Sequence, residues 1–309
     1  MHTMKVGIDS YCYHRFMGGA YPDLERDPGF RLTVFDVLAR ARALGVDGVS
    51  IEACFLPAID APLLERLVAT LADYRLEPVW AWGHPNGLSS GADAAAADDL
   101  VRHLGYAHQV GARVMRICAG GRRTRPASWP EHKAKLVPML QRLIGPAEDA
   151  GVVMAVENHI DLLADEMVEL IETIDSPWLG VCYDTANNLR MFEDPVAVAR
   201  KLAPLARATH IKDITAQRGD PKTFAFWPSV PLGRGLIDVR AILGLLRDAG
   251  FDGLLALEID YLSPLYFGDS EEAAIAESIG WLRREVDTLA SSRVSGAAAS
   301  APAKFSPLQ

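Results

Sequence analysis

Eight ionisable residues in this 309-residue chain each close a short apolar run: Asp9, Glu52, His84, Arg116, Glu157, Asp184, His210 and Glu258. One such residue means little, because a polar group at the end of an apolar run can simply meet solvent or cap the next helix. Eight in series point to a shared surface. Glu157, Asp184, His210 and Glu258 supply three carboxylates and one imidazole, which suits a single hard or borderline divalent ion such as Mn2+, Mg2+ or Co2+, with Zn2+ also compatible. A structural zinc would draw on more sulfur and nitrogen. Taken singly, each is as readily a solvated carboxylate or a satisfied core histidine. As a set they predict a metal site.

The elements that must carry these residues follow one grammar: a helical stretch ends at glycine, an apolar strand follows, and a polar residue closes it. Four segments show it plainly, at 44–52, 110–116, 150–157 and 249–258. Further strands read at Lys5 to Asp9, Val79 to His84, Leu179 to Asp184 and Ala208 to Lys212. Between them the apolar 3.6-residue period marks helices at Leu63 to Leu76, Lys135 to Ala150, Met167 to Ile174, Asp238 to Ala249 and Glu271 to Leu289. Strands alternating with helices imply βαβ units and a parallel sheet, and eight units fit a single (β/α)8 TIM barrel over residues 1–290. An open nucleotide-binding sheet would carry a glycine-rich turn after its first strand; Gly233-Arg234-Gly235 comes late and reads as a tight loop. In a barrel the active site lies at the strand carboxyl ends, where all eight ionisable residues fall. The Ala/Ser/Pro-rich stretch 291–309 reads as a disordered tail.

Composition removes other classes. Half the residues are apolar and 23% charged, as in an ordinary globular protein. No apolar run approaches the roughly 18 residues of a membrane helix, and residues 1–5 lead straight into a strand, so the expectation is cytoplasmic with no membrane partner. Cys12, Cys54, Cys118 and Cys182 lie far apart and suggest neither disulfides nor a zinc ribbon. A net charge of −9 argues against nucleic acid as a partner.

Several motifs carry a resemblance: Val156-Glu157-Asn158-His159, Cys182-Tyr183-Asp184-Thr185-Ala186-Asn187, Thr209-His210-Ile211-Lys212-Asp213, Leu232 to Asp238, and Leu257-Glu258-Ile259-Asp260. In this order they resemble the xylose-isomerase-like barrel superfamily of sugar phosphate isomerases and epimerases, over about residues 4 to 290. The resemblance implies a carbohydrate substrate and one Mn2+-like ion on Glu157, Asp184, His210 and Glu258. It also implies that Glu157 and Glu258 flank the substrate as an acid/base pair. Such an ion, chelating a carbonyl and a neighbouring hydroxyl, would acidify the carbon-bound proton between them.

Strand alternation points His159 and Lys212, two residues beyond a ligand, to the same side as Glu157 and His210, where either could bind substrate oxygen or relay a proton. His84 and Arg116 are expected to grip a polyol or an anion opposite the metal. Trp82 is a candidate sugar platform, although Trp80 and Trp82 alternate about Ala81 and at least one should pack the core. The long loop Tyr11 to Phe30, including His14, reads as a lid, and the insertion Ile214 to Pro231, with Phe224, Phe226 and Trp227, as a cover or a subunit interface.

Departures from the family pattern narrow the branch. Asn187 stands where endonuclease IV and tagatose-type epimerases carry histidine; it is a substrate-binding candidate, and DNA repair falls away. The leading expectation is a sugar isomerase or epimerase. The Tyr11 to Phe16 stretch resembles the branch containing C-glycoside deglycosidase large subunits and oxo-sugar-acid decarboxylases, which gives a lyase as the alternative. A homo-oligomer is expected, or a hetero-oligomer with a small subunit for a deglycosidase. A barrel kept only for binding should have lost a ligand, and none is missing.

Overall fold

The computed structural model describes residues 4–22, 24–217, 227–263 and 271–299. Eight parallel strands close a barrel: β1 (Lys5–Asp9), β2 (Gly48–Glu52), β3 (Glu77–Ala81), β4 (Val114–Cys118), β5 (Val153–Glu157), β6 (Leu179–Asp184), β7 (Ala206–Ile211) and β10 (Leu254–Leu257). Each pairs with its sequence neighbour and β10 closes on β1, as consecutive right-handed βαβ crossovers require. A two-stranded antiparallel pair, β8 (Asp213–Ile214) and β9 (Ser229–Val230), stands outside the barrel after β7.

Seven helices lie in the loops up to β10: α1 (Val34–Ala43), α2 (Ala61–Tyr74), α3 (Ala94–Gln109), α4 (Trp129–Ala150), α5 (Ala164–Ile174), α6 (Pro195–Leu202) and α7 (Val239–Asp248). α8 (Glu271–Ala299) follows β10. Helices α2, α3, α4, α6 and α7 start on Asp60, Asp93, Ser128, Asp194 and Asp238, whose side chains accept a backbone N–H of the first turn. The helix-to-strand turns at Gly45, Gly111, Gly151 and Gly250 all take positive φ, which is the physical basis of the glycine grammar. Inside the barrel, one layer is filled by small side chains, Ala155, Cys182, Ala208 and Ala256, together with Val79 and Leu254. The larger apolar cluster fills the space between strands and helices.

Four boundaries differ from the sequence reading. Strand β3 ends at Ala81, so Trp82 and His84 lie beyond it, and β7 ends at Ile211, one residue before Lys212. Arg116 lies inside β4, which runs on to Cys118. Helix α8 continues past Leu289 to Ala299, because Ala- and Ser-rich sequence lacking proline extends a helix readily; 300–309 lie outside the described residues, as do Phe224 and Phe226. Among the described residues no helix is long and apolar enough to cross a membrane.

Candidate metal centre and active site

Glu157 ends β5, Asp184 ends β6, His210 is the penultimate residue of β7, and Glu258 follows β10. These four strands are consecutive around the barrel, so the side chains converge: one ligand atom from each lies within 4.8 Å of the others, and all four residues are buried. His210 Nδ1 is 3.1 Å from Glu258 Oε2 and 3.4 Å from Glu157 Oε1. On its far side Nε2 lies 3.3 Å from Asp9 Oδ2, a carboxylate placed to fix the tautomer of a ligating imidazole.

The chemistry of the donor set fits a divalent ion. Asp184 Oδ2, His210 Nδ1 and Glu258 Oε2 are buried and make no hydrogen bond. Buried polar atoms are ordinarily satisfied, and three donors that converge on one point without hydrogen bonds, two of them ion-paired with the Lys212 ammonium, mark a place for a cation. The other oxygen of Asp184 is occupied, accepting the backbone N–H of Ala186 and of Asn187, each at 2.8 Å, which leaves Oδ2 for the centre.

Around this centre runs a second layer of charge. Arg116 donates Nε to Glu157 Oε2 at 2.6 Å, and its Nη1 is 3.5 Å from Glu52 Oε1. Lys212 Nζ lies 3.1 Å from Asp184 Oδ2, 2.9 Å from Glu258 Oε2 and 3.4 Å from Asp260 Oδ2. Burial pushes the Glu157 carboxyl up, but Arg116 and His210 outweigh it and hold it well below the usual carboxylate range. Burial likewise raises Glu258, and Lys212 with His210 bring it down to about 2. Glu52 goes the other way, pushed up to about 7 by burial that Arg116 only partly offsets.

Several proposed substrate contacts land elsewhere. His14 is buried with both ring nitrogens engaged, Nδ1 with Tyr11 O at 2.9 Å and Nε2 with Glu25 at 2.9 Å, so it braces the first loop from within. Its ring stacks on Tyr11 and packs against Tyr21, and the two tyrosine hydroxyls meet at 2.7 Å. Trp82 is fully buried and donates Nε1 to Asp99 of α3 at 2.8 Å; Trp80 does the same to His103 at 3.1 Å. Both indoles therefore pack in the layer between barrel and helices. Arg116 is consumed by two glutamates inside the barrel, because a mid-strand inward position meets neighbouring strands before it meets a ligand. Trp227 is half-buried, and its carbonyl accepts from Arg190.

Two other candidates, Asn187 and His159, stand beside Glu157. Asn187 donates Nδ2 to Glu157 Oε1 at 3.2 Å. His159 is near Cys118 and Glu157, and its Nδ1 makes no hydrogen bond. His84 stacks on Trp82 with ring centres 5.1 Å apart and leaves Nδ1 unsatisfied.

The sequence reading passed over Asn158. Its amide donates to Asp184 O at 2.8 Å and to Asn188 Oδ1 at 2.7 Å, and its carbonyl accepts from Asp184 N–H at 2.8 Å. This two-way bond to the Asp184 backbone ties the β5 and β6 ends together and sets the spacing of two ligands. The only sequence signal was its place between Glu157 and His159.

The chain belongs to the xylose isomerase-like TIM barrel family, whose model matches residues 38–285. Among individual proteins it is similar to a 3-oxo-isoapionate decarboxylase of Pectobacterium atrosepticum, 24% identical over 160 residues, which are 52% of this chain and 56% of the relative. The match thus spans about half the length of that curated relative. Among solved structures it resembles an L-ribulose 3-epimerase, with a TM-score of 0.71 at 20% identity over 98% of this chain and 100% of the other. It also resembles a xylose isomerase-like barrel protein from Mycobacterium smegmatis in complex with magnesium, with a TM-score of 0.69 at 18% identity over 93% and 98% of the two chains.

Proposed function

We propose that this protein is a divalent-metal-dependent enzyme that removes the proton next to the carbonyl of a keto- or oxo-sugar, with isomerisation or epimerisation as the outcome. One observation carries the reading: four metal-compatible side chains on consecutive strands bring to one point at the barrel mouth three buried donor atoms that make no hydrogen bond, two of them facing the Lys212 ammonium and His210. An ion held by Glu157, Asp184, His210 and Glu258 would draw charge from a carbonyl and its neighbouring hydroxyl and stabilise the enediolate left when the proton goes. The magnesium complex of a structural relative agrees with a hard ion.

The chain's own residues supply the proton chemistry. Glu157 and Glu258 come from the two outer strands of the four, so they flank a sugar seated at the centre. Glu258 has Oε2 among Lys212 and His210 and makes no hydrogen bond through Oε1 among the described residues, which leaves Oε1 to take the proton. Glu157 is anchored by Arg116 through Oε2 and turns Oε1 inward. Removal of the proton on one face and its return to the same carbon on the other inverts a carbinol centre, whereas its return to the former carbonyl carbon, with a hydroxyl proton passing between the two oxygens, moves the carbonyl. Lys212 steadies the carboxylates on the Asp184 side and can donate to a substrate oxygen.

A second reading, a lyase acting on a 3-oxo-sugar derivative, draws on Asn187. Its amide sits beside Glu157 and cannot carry a proton, so the Glu157 face has one fewer exchangeable group, whereas loss of CO2 or an aglycone calls for proton traffic on a single face. The likeness to a 3-oxo-isoapionate decarboxylase supports this alternative. Incubation with Mn2+ or Mg2+ in heavy water separates the two. An epimerase washes deuterium into recovered ketose at the carbon beside the carbonyl, and a lyase releases CO2 or a free aglycone from a 3-oxo substrate. If none of these substrates is turned over or exchanges its proton, the enolisation reading fails.

A further inference from the structure

At the opposite end of the barrel, where the strands begin, a cavity of about 350 Å3 opens between the first residues of β1, β3, β4, β7 and β10. Its rim carries Lys5, Arg113 and Arg207 against a single carboxylate, Glu77, and Val79 and Leu254 form its floor above the small-residue layer of the barrel interior. Lys5 is paired with Glu77. Arg113 and Arg207 have no carboxylate partner among the described residues; Arg207 donates Nη1 to the Ala206 carbonyl at 3.0 Å. Two arginines on one concave surface without counter-charge are unexpected in a chain with a net charge of −9. Local backbone accommodates one of them: a Cβ at Gly180 would come within 2.4 Å of Arg207 Cγ, so the glycine lets the arginine stem lie flat across the start of β6.

We propose that this cavity binds a small phosphomonoester, at a site separate from the barrel mouth. The guanidinium fork matches phosphate oxygens in a bidentate way that a lysine ammonium cannot, and two such forks offset the charge of a dianion while Lys5 stays paired with Glu77. The cavity falls in the size range of small-molecule sites and exceeds what phosphate alone needs. Its apolar floor accepts a short carbon skeleton. A ligand here would bridge the starts of β4 and β7, three staves apart in the barrel, and tighten the wall whose other end carries the candidate site.

The test uses the full chain in calorimetric titration with glycerol phosphate and with inorganic phosphate, at constant ionic strength in chloride. Saturable binding of glycerol phosphate is expected, with inorganic phosphate weaker. Arg113→Ala and Arg207→Ala should each weaken it at least about tenfold, Arg113→Lys less so, and Asp184→Asn should leave it unchanged. Circular dichroism of each variant checks that it is folded. Absence of saturable binding overturns the proposal, as does binding that survives both arginine changes or is lost in Asp184→Asn. Equal affinity for the two ligands overturns the carbon-skeleton part and leaves an oxyanion site.

Discussion

Arg116 and Glu157 face each other across adjacent strands, with Nε of one 2.6 Å from Oε2 of the other inside the barrel. The pair fixes which carboxylate oxygen is spent on the scaffold and which is left for chemistry. It also explains how a glutamate with its side chain only 1% exposed stays ionised: the guanidinium, together with His210, compensates the loss of hydration.

Metal content follows directly from the donor set. Protein purified without chelator is expected to carry about one divalent ion per chain, removable by EDTA with loss of activity, and Asp184→Asn and Glu258→Gln should each lower the occupancy. Elemental analysis of the three proteins gives the answer; a metal-free wild type with chelator-resistant activity would refute it.

Glu157→Gln and Glu258→Gln should each reduce turnover at least about a hundredfold, the usual scale for a positioned acid or base. An amide keeps an oxygen toward the centre but cannot take a proton. Steady-state kinetics at saturating metal test this, and near-normal turnover with metal bound would move the role to His159 or Lys212.

Lys212 competes with any cation for the same oxygens, Asp184 Oδ2 and Glu258 Oε2. Lys212→Met is therefore expected to bind metal about tenfold more tightly while stability of the metal-free form falls, since three carboxylates lose their shared counter-charge. Metal titration followed by thermal melts with and without the ion reads both effects; weaker metal binding in the variant would contradict the competition.

A pH effect on stability is expected at His132, a buried residue of α4 whose ring nitrogens make no hydrogen bond. Burial, with Arg125 nearby, lowers it from 6.5 to about 4. Between those values the unfolded chain holds a proton that the folded chain does not, so stability is intact above 6.5 and declines as pH falls toward 4, by at most about 1.4 kcal/mol per pH unit from this residue. Urea melts of wild type and His132→Phe from pH 7 to 4 should show a shallower decline in the variant. Parallel declines would remove His132 as a source.

Much of the barrel was legible in the chain because its determinants are local. A glycine in the left-handed region ends a helix, a short continuous apolar run makes a strand, and a polar residue closes it, so the eight units and the order of Glu157, Asp184, His210 and Glu258 could be read without coordinates. Alternation about Ala81 also showed that at least one of Trp80 and Trp82 should pack the core. It could not say that both do, which depended on α3 offering Asp99 and His103 to their indoles. Tertiary packing likewise decided that Arg116 serves Glu157 instead of a ligand, that Asn158 clamps β5 to β6, and that His14 braces the first loop against Glu25. Each of these turns on partners between 11 and 41 positions away in the sequence. A side chain's orientation in a packed interior is chosen by which distant group satisfies its charge or hydrogen bonds, and no local pattern carries that information.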